Sequence, residues 1–264
     1  MHDSLLKKLG PSCESGVHSI EDHGRTVWVK FLGDNKKNIV TICARALGKI
    51  RVSHHLNANG ALSPQDRLDH EFDVLTHCAS LDLPTPRLLG RGAHYFVMED
   101  VGIRIDQLPG HRIDERLLCD VFSSLAQLHQ KGIAHGRCRL KDICVKEDQP
   151  SWIDFEEAIE GCTPQLQARD VFLLLSEISE RSELSDSQTT AALLLWRSAV
   201  QPAAWRALFR IGTLLFRIRW LFKAILFFKP TNRLSRNLLH TSHYLRNLGQ
   251  TPGLSFSGTG GRPG

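Results

Sequence analysis

The stretch from Leu128 to Glu157, LHQKGIAHGRCRLKDICVKEDQPSWIDFEE, decides how the rest of the chain reads. Ile143-Cys144-Val145 and Ser151-Trp152-Ile153 flank the polar run Glu147-Asp148-Gln149-Pro150, the pattern of a short hairpin. Such a hairpin brings Asp142 and Asp154 together at one end. Two carboxylates held close repel unless a cation lies between them, so the pair reads as a Mg²⁺ site. Two surface acids beside a turn are the plain alternative.

Working outward, Glu115 to Gln130 puts Leu117, Leu118, Val121, Phe122, Leu125 and Leu128 on one helical face and stops at Gly132. This buried helix leads into His135-Gly136-Arg137. Far upstream, Thr26-Val27-Trp28-Val29-Lys30-Phe31-Leu32 reads as a strand closing in the turn Gly33-Asp34-Asn35. On a period of two, Lys30 shares a face with Trp28 and Leu32, so its ammonium leaves an apolar surface and needs an anionic partner. A solvated lysine on an edge strand is the other reading. Ser63 and Pro64 start a helix with Leu68, Phe72, Leu75 and Ala79 at helical spacing, and Glu71 sits on or beside that stripe. A salt bridge between Lys30 and Glu71 relieves both charges. Leu83-Pro84-Thr85-Pro86 ends the helix, and Tyr95 to Asp100 forms a second strand before Val101-Gly102.

These residues, taken in order, resemble the protein-kinase-like superfamily, closest in style to its bacterial lipopolysaccharide-kinase and RIO-kinase branches. In that family the catalytic loop reads His, then Arg or Gly, then the catalytic Asp, with a metal-binding Asn five residues later. His135 and Gly136 fit, Arg137 stands at the catalytic Asp, and Asp142 stands at the Asn. Asp154 fits the second metal-binding Asp, with Glu156 where Gly is usual.

The resemblance implies an α+β, two-lobed protein-kinase-like fold. Residues 1–101 would form a nucleotide-binding lobe with a small antiparallel sheet and one helix; 102–248 would form a larger helical lobe, and 249–264 a disordered tail rich in Gly and Ser. It implies ATP and Mg²⁺ as cofactors. Ser15, Gly16, Lys30, Glu71 and Glu99 would meet the nucleotide, with Ser15-Gly16-Val17-His18 at the phosphate-covering hairpin and Lys30 on the α- and β-phosphates. His135, Arg137 and Asp142 would form the catalytic loop, Asp142 and Asp154 would hold metal, and Asp170 would brace the loop from below.

Arg137 alters the implied mechanism. A guanidinium stays protonated and accepts no proton from an acceptor hydroxyl. Losing a general base typically costs ~10²–10⁴ in rate, whereas phosphoryl transfer depends mostly on positioning and on cations. Two functions follow. One is a phosphotransferase acting on a sugar or glycolipid hydroxyl at the cytoplasmic membrane face. The other is a pseudokinase in which Arg137 pairs with Asp142 or Asp154, and which binds a nucleotide or a protein partner.

Composition sets the remaining bounds. The chain has 264 residues, 42% hydrophobic and 23% charged, enough to bury a core. Its net charge of +5 is concentrated between Arg197 and Arg246, a stretch with no Asp or Glu. Within it, 202–229 interleaves Trp205, Phe209, Phe216, Trp220, Phe222, Phe227 and Phe228 with arginine and lysine. That is the pattern either of a helix lying on an anionic membrane surface or of a closing helix with snorkelling arginines. No nucleic-acid recognition motif accompanies it. Adjacent His54 and His55 would point to opposite faces of a strand and make a poor metal pair. Seven cysteines without a C-x-x-C pair read as reduced thiols, and residues 1–16 lack the apolar run of a secretory signal. A cytoplasmic protein, peripheral on the inner membrane, is the expectation.

Overall fold

The structure, a computed structural model, describes residues 15–32, 63–181 and 183–251. The expected turn at Gly33-Asp34-Asn35, the His54-His55 pair and the tail beyond Thr251 lie outside these residues. The chain divides into two compact units, 1–104 with 142–159, and 105–141 with 160–264. The fold class is α+β, as expected: one unit carries antiparallel sheets and one long helix, the other is mainly helical.

In the first unit, β1 (Val17–Asp22) and β2 (Arg25–Phe31) pair antiparallel around a tight turn at His23-Gly24, both with positive φ. With β3 (Leu88–Arg91) and β4 (Tyr95–Glu99) they form a sheet in the order β1-β2-β4-β3. The period of two sorts the side chains of β2. Val27 and Val29 join Ile20 and Val97 in a buried cluster flanked by Phe31 and Tyr95. Trp28 and Lys30 point the other way, opposite Met98 and Phe96 in the register.

Helix α1 (Pro64–Ser80) begins with a capping box: the Ser63 hydroxyl accepts from the Asp66 N–H, and the Asp66 carboxylate accepts from the Ser63 N–H. It buries Leu68, Glu71, Val74, Leu75 and Cys78. The stripe is therefore rotated from the expected one, since Phe72 is half-buried and Ala79 exposed. Phe72 still meets the sheet, its ring centroid 6.0 Å from that of Phe96. The rotation puts Glu71 in the middle of the buried face.

A second sheet in this unit joins β5 (Ile103–Arg104), β6 (Ile143–Lys146) and β7 (Gln149–Trp152). The expected hairpin is present, with a two-residue turn at Glu147-Asp148, where both residues have positive φ. That conformation matches the twist of the flanking strands. The Trp152 N–H donates to the Pro84 carbonyl at 2.8 Å, fixing β7 to the segment after α1. Asp100 links the two sheets, accepting from Trp28 Nε1 at 2.9 Å and from Lys146 Nζ at 3.2 Å.

The second unit contains α2 (Glu115–Gln130), α3 (Pro164–Ile178), α4 (Asp186–Ala199), α5 (Pro202–Arg217), α6 (Arg219–Phe228) and α7 (Arg233–Gln250). Side-chain caps open several of them: Asp114 accepts from Leu117 N–H, Thr163 from Leu166 N–H and Ser185 from Gln188 N–H. Helix α2 packs on α4, α3 on α5 and α7, and α7 also on α5 and α6. The aromatic stretch 202–229 is thus two helices broken at Ile218, where the Arg219 guanidinium caps the Phe216 carbonyl at 3.0 Å. None of the described helices is long and apolar enough to cross a membrane. Helix α7 runs to Gln250.

Gly102 holds a left-handed backbone (φ +92°), and a Cβ there would lie 2.1 Å from the Val145 carbonyl oxygen. Gly102→Ala should therefore cost at least ~1–2 kcal/mol from backbone strain alone. Urea denaturation would read this, and an unchanged midpoint would contradict the packing described.

Candidate active site

Lys30 is the centre of the first unit's polar interior. Strand β2 delivers it to the face that α1 covers, and it is 9% exposed. Its Nζ lies 2.5 Å from Glu71 Oε2, 3.1 Å from Asp154 Oδ1 and 3.0 Å from Glu156 Oε1. The pairing of Lys30 with Glu71 anticipated from the strand and helix patterns is present, and Asp154 joins it.

Glu71 does two jobs. While Oε2 accepts from Lys30, Oε1 accepts from the Phe155 N–H at 3.3 Å, so one carboxylate ties the sheet to the segment after β7. That segment is a single turn, Phe155–Glu157, with Phe155 fully buried. Asp154 precedes it in a left-handed conformation (φ +66°, ψ +60°). Asp tolerates this better than most residues, and the bend turns both Asp154 and Glu156 towards Lys30.

Burial alone would lower the Lys30 pKa, but the carboxylates of Glu71, Asp154 and Glu156 outweigh it and hold the ammonium firmly charged. Burial pushes the Glu71 carboxyl up to about 7, against the pull of Lys30 and with repulsion from Asp154 and Glu156. Three acids around one ammonium leave an excess of negative charge, which the most buried acid bears.

Glu71, Asp154 and Glu156 each offer an oxygen within 4.8 Å of the others, a candidate cation site among the described residues. An all-oxygen donor set suits Mg²⁺. Asp142 is not part of this cluster. It is buried immediately before β6, and its main-chain carbonyl accepts from the Ile153 N–H at 2.9 Å. The hairpin brings the backbones next to Asp142 and Asp154 together, and the third acid is Glu156. Sequence reasoning noted Glu156 only as a substitute for Gly; the available signal was a second acid two residues after Asp154.

Gly16 enters β1 with φ +88°, and its carbonyl accepts from the Phe31 N–H at 2.8 Å. In the ladder Val17 faces Lys30, so Ser15 and Gly16 lie at the Lys30 end of β2. The Ser15 carbonyl meets His18 Nε2 at 2.8 Å. Glu99 closes β4, and its carboxylate accepts from the Arg87 N–H at 3.0 Å.

His135 and Arg137 belong to the second unit. His135 is fully buried, and Arg137 is half-buried in the loop that follows. This loop is held by α3. Asp170, fully buried, accepts from the His135 N–H at 2.8 Å and the Gly136 N–H at 3.1 Å. Arg169 donates to the Gly136 carbonyl at 2.6 Å. Two turns further along α3, Glu177 accepts from Arg139 Nε at 2.9 Å and from the Leu140 N–H at 3.3 Å. Behind Asp170 lies His129, which sequence reasoning did not single out. Trp196 Nε1 donates to its Nδ1 at 2.9 Å, which leaves Nε2 as the N–H facing Asp170 Oδ2 at 3.3 Å.

Between pH 4.5 and 7, folded Glu71 holds a proton that the unfolded chain does not, so its stabilising contribution is full below 4.5 and declines as pH rises to 7. The stability of Glu71→Gln relative to wild type should rise across that window by up to ~1.4 kcal/mol per pH unit. A flat difference in urea titrations would contradict the assignment. Asp170→Ala strands two loop N–H donors and His129, and should cost ~3 kcal/mol or more; a loss under ~1 kcal/mol would exclude the bracing role.

No protein-family model matches the chain. An uncharacterised protein of Haemophilus influenzae is 25% identical to it over 173 residues, covering 63% of this chain and 70% of that protein. Among solved structures, WaaP in complex with acyl carrier protein is similar over 89% of this chain and 91% of its own, with 14% identity and a TM-score of 0.48.

Proposed function

We propose that this chain is an ATP-dependent phosphotransferase-like protein of the lipopolysaccharide-kinase type, acting on a sugar or glycolipid hydroxyl at the cytoplasmic membrane face. The observation that carries the reading is the buried Lys30 ammonium paired with Glu71 and touching Asp154. A triphosphate needs a fixed cation and acids for its metal, and this cluster supplies both within one unit. Glu71 would fix Lys30 against the α- and β-phosphates, and Asp154, with Asp142 from outside this cluster, would hold Mg²⁺. Bound Mg²⁺ would neutralise the charge that builds on the transferring phosphoryl group. Ser15, Gly16 and Glu99 would line the nucleotide, and His135 would hold the loop that carries Arg137. With a guanidinium at the base position, Arg137 would stabilise phosphate charge, and Asp142 would either take the proton or strengthen Mg²⁺ binding.

A second reading has its own observation. Glu156 sits 3.0 Å from Lys30, where the family's usual Gly has no side chain. An acid neutralising the phosphate-binding lysine, together with Arg137 at the base position, favours a pseudokinase that binds a nucleotide or a protein partner.

Thermal denaturation with ATP, with and without Mg²⁺, tests nucleotide binding. ATP with Mg²⁺ at a hundredfold its dissociation constant should stabilise the protein by ~2.7 kcal/mol. Asp154→Asn, which tolerates the left-handed backbone, should abolish the Mg²⁺ dependence. No shift in either condition would overturn the nucleotide reading. Phosphorylated product from Arg137→Asp alone, with none from wild type, would decide for the pseudokinase.

A further inference from the structure

Helix α6 is built the wrong way round for a helix of the interior. Of its ten residues only Phe222 is fully covered, against α7. Phe227 and Phe228 are each 80% exposed and Trp220 is 66% exposed, with Leu221, Leu214 and Leu234 open to solvent nearby in the chain. Large apolar side chains exposed together on one short helix point to an interaction site. By contrast α5 turns Ala204, Trp205, Ala207 and Leu208 inward and leaves Arg206, Arg210 and Arg217 outside, as a packed closing helix does.

At the break between α5 and α6 lies a cavity of about 320 Å³ lined by Thr213, Phe216, Arg217, Arg219 and Arg246. The guanidinium carbons of Arg219 and Arg246 each sit 4.1 Å from the centre of the Phe216 ring. The ring stacks two guanidinium groups, and Arg217 lines the same cavity. His243 packs edge-on to the same ring at 4.9 Å. Burial and the cations Lys223, Arg219 and Arg246 push its pKa down, a sign of the local positive potential. No Asp or Glu occurs between Arg197 and Arg246, so the acids that would neutralise this corner are missing from its own stretch of chain.

We propose that α6 is an interfacial membrane anchor: Trp220, Phe227 and Phe228 enter the headgroup region of a bilayer, and the cavity of Arg217, Arg219, Arg246 and Thr213 takes the phosphate of an anionic lipid. This deepens the membrane-face part of the function proposed above and assigns it to one helix and one cavity. A ten-residue helix is about 15 Å long, too short to span a bilayer and suited to lie in its surface. Charge selects the occupant. A second copy of the chain would bring the same uncompensated arginines against themselves, whereas phosphate headgroups supply the missing anions.

Vesicle co-sedimentation of the full chain, without nucleotide, tests this. Phosphatidylcholine vesicles containing phosphatidylglycerol should bind the protein, and pure phosphatidylcholine vesicles should bind it far less. Each basic side chain at the surface contributes about fivefold, so neutralising all three arginines should lose about a hundredfold. The single exposed change Arg217→Gln should lose about fivefold and guards against misfolding of the stacked pair. Phe227→Ser with Phe228→Ser should weaken binding at an unchanged melting temperature. Binding indifferent to phosphatidylglycerol, or equal binding by the serine variant, would overturn the proposal. So would a wild-type dimer, in size-exclusion chromatography, that the serine variant converts to monomer. Inorganic phosphate that protects the protein against heat, with no vesicle binding, would mean a soluble phosphate ligand and no anchor. Because ATP is absent throughout, failure here leaves the nucleotide reading standing, and failure of ATP binding leaves this one standing.

Discussion

A buried ammonium tolerates no neglect. Lys30 leaves β2 into a dry face, and an uncompensated charge there would cost several kcal/mol. The first unit answers by bringing carboxylates to it from two other segments, Glu71 from α1 and Asp154 with Glu156 from the turn after β7. Through Glu71 the constraint spreads. Its second oxygen holds the Phe155 N–H, and Phe155 is itself fully buried, so the sheet, the helix and the turn are fixed by one carboxylate. Breaking one partner of such a set leaves the rest buried and unbalanced, which makes the cluster a structural keystone as well as a candidate site.

The second unit solves a parallel problem with backbone donors. A loop without regular structure leaves N–H groups exposed to burial, and α3 supplies two acids seven residues apart to receive them, Asp170 at His135 and Gly136, and Glu177 at Leu140. Seven residues bring side chains back to the same side of a helix, so both acids face the loop. The chain from Trp196 through His129 to Asp170 then holds the first of them in place.

Much of this was legible in the residues themselves. Alternation in β2 put Lys30 on an apolar face, helical spacing put Glu71 near another, and the cost of two buried charges is enough to pair them. The turn residues between Val145 and Ser151 announced the hairpin. Irregular backbone was less legible: nothing periodic reports that Asp154 adopts a left-handed turn, and therefore nothing reported that Glu156 would reach Lys30. The phase of α1 was ambiguous because Phe72 competes with Val74 for the buried stripe; packing chose Val74 and left Phe72 beside Phe96. The break at Ile218 carries no Gly or Pro; the Arg219 guanidinium caps the Phe216 carbonyl there, a contact that composition does not encode.

The crowding at Lys30 sets the terms on which any ligand arrives. Lys30 is already in contact with Asp154 and Glu156, so an anion meeting it there would have to exchange with those carboxylates. A lone anion would release two acids with nothing to neutralise them. An anion accompanied by a divalent cation would relieve both sides at once, because the cation would take the two carboxylates that the ammonium gives up.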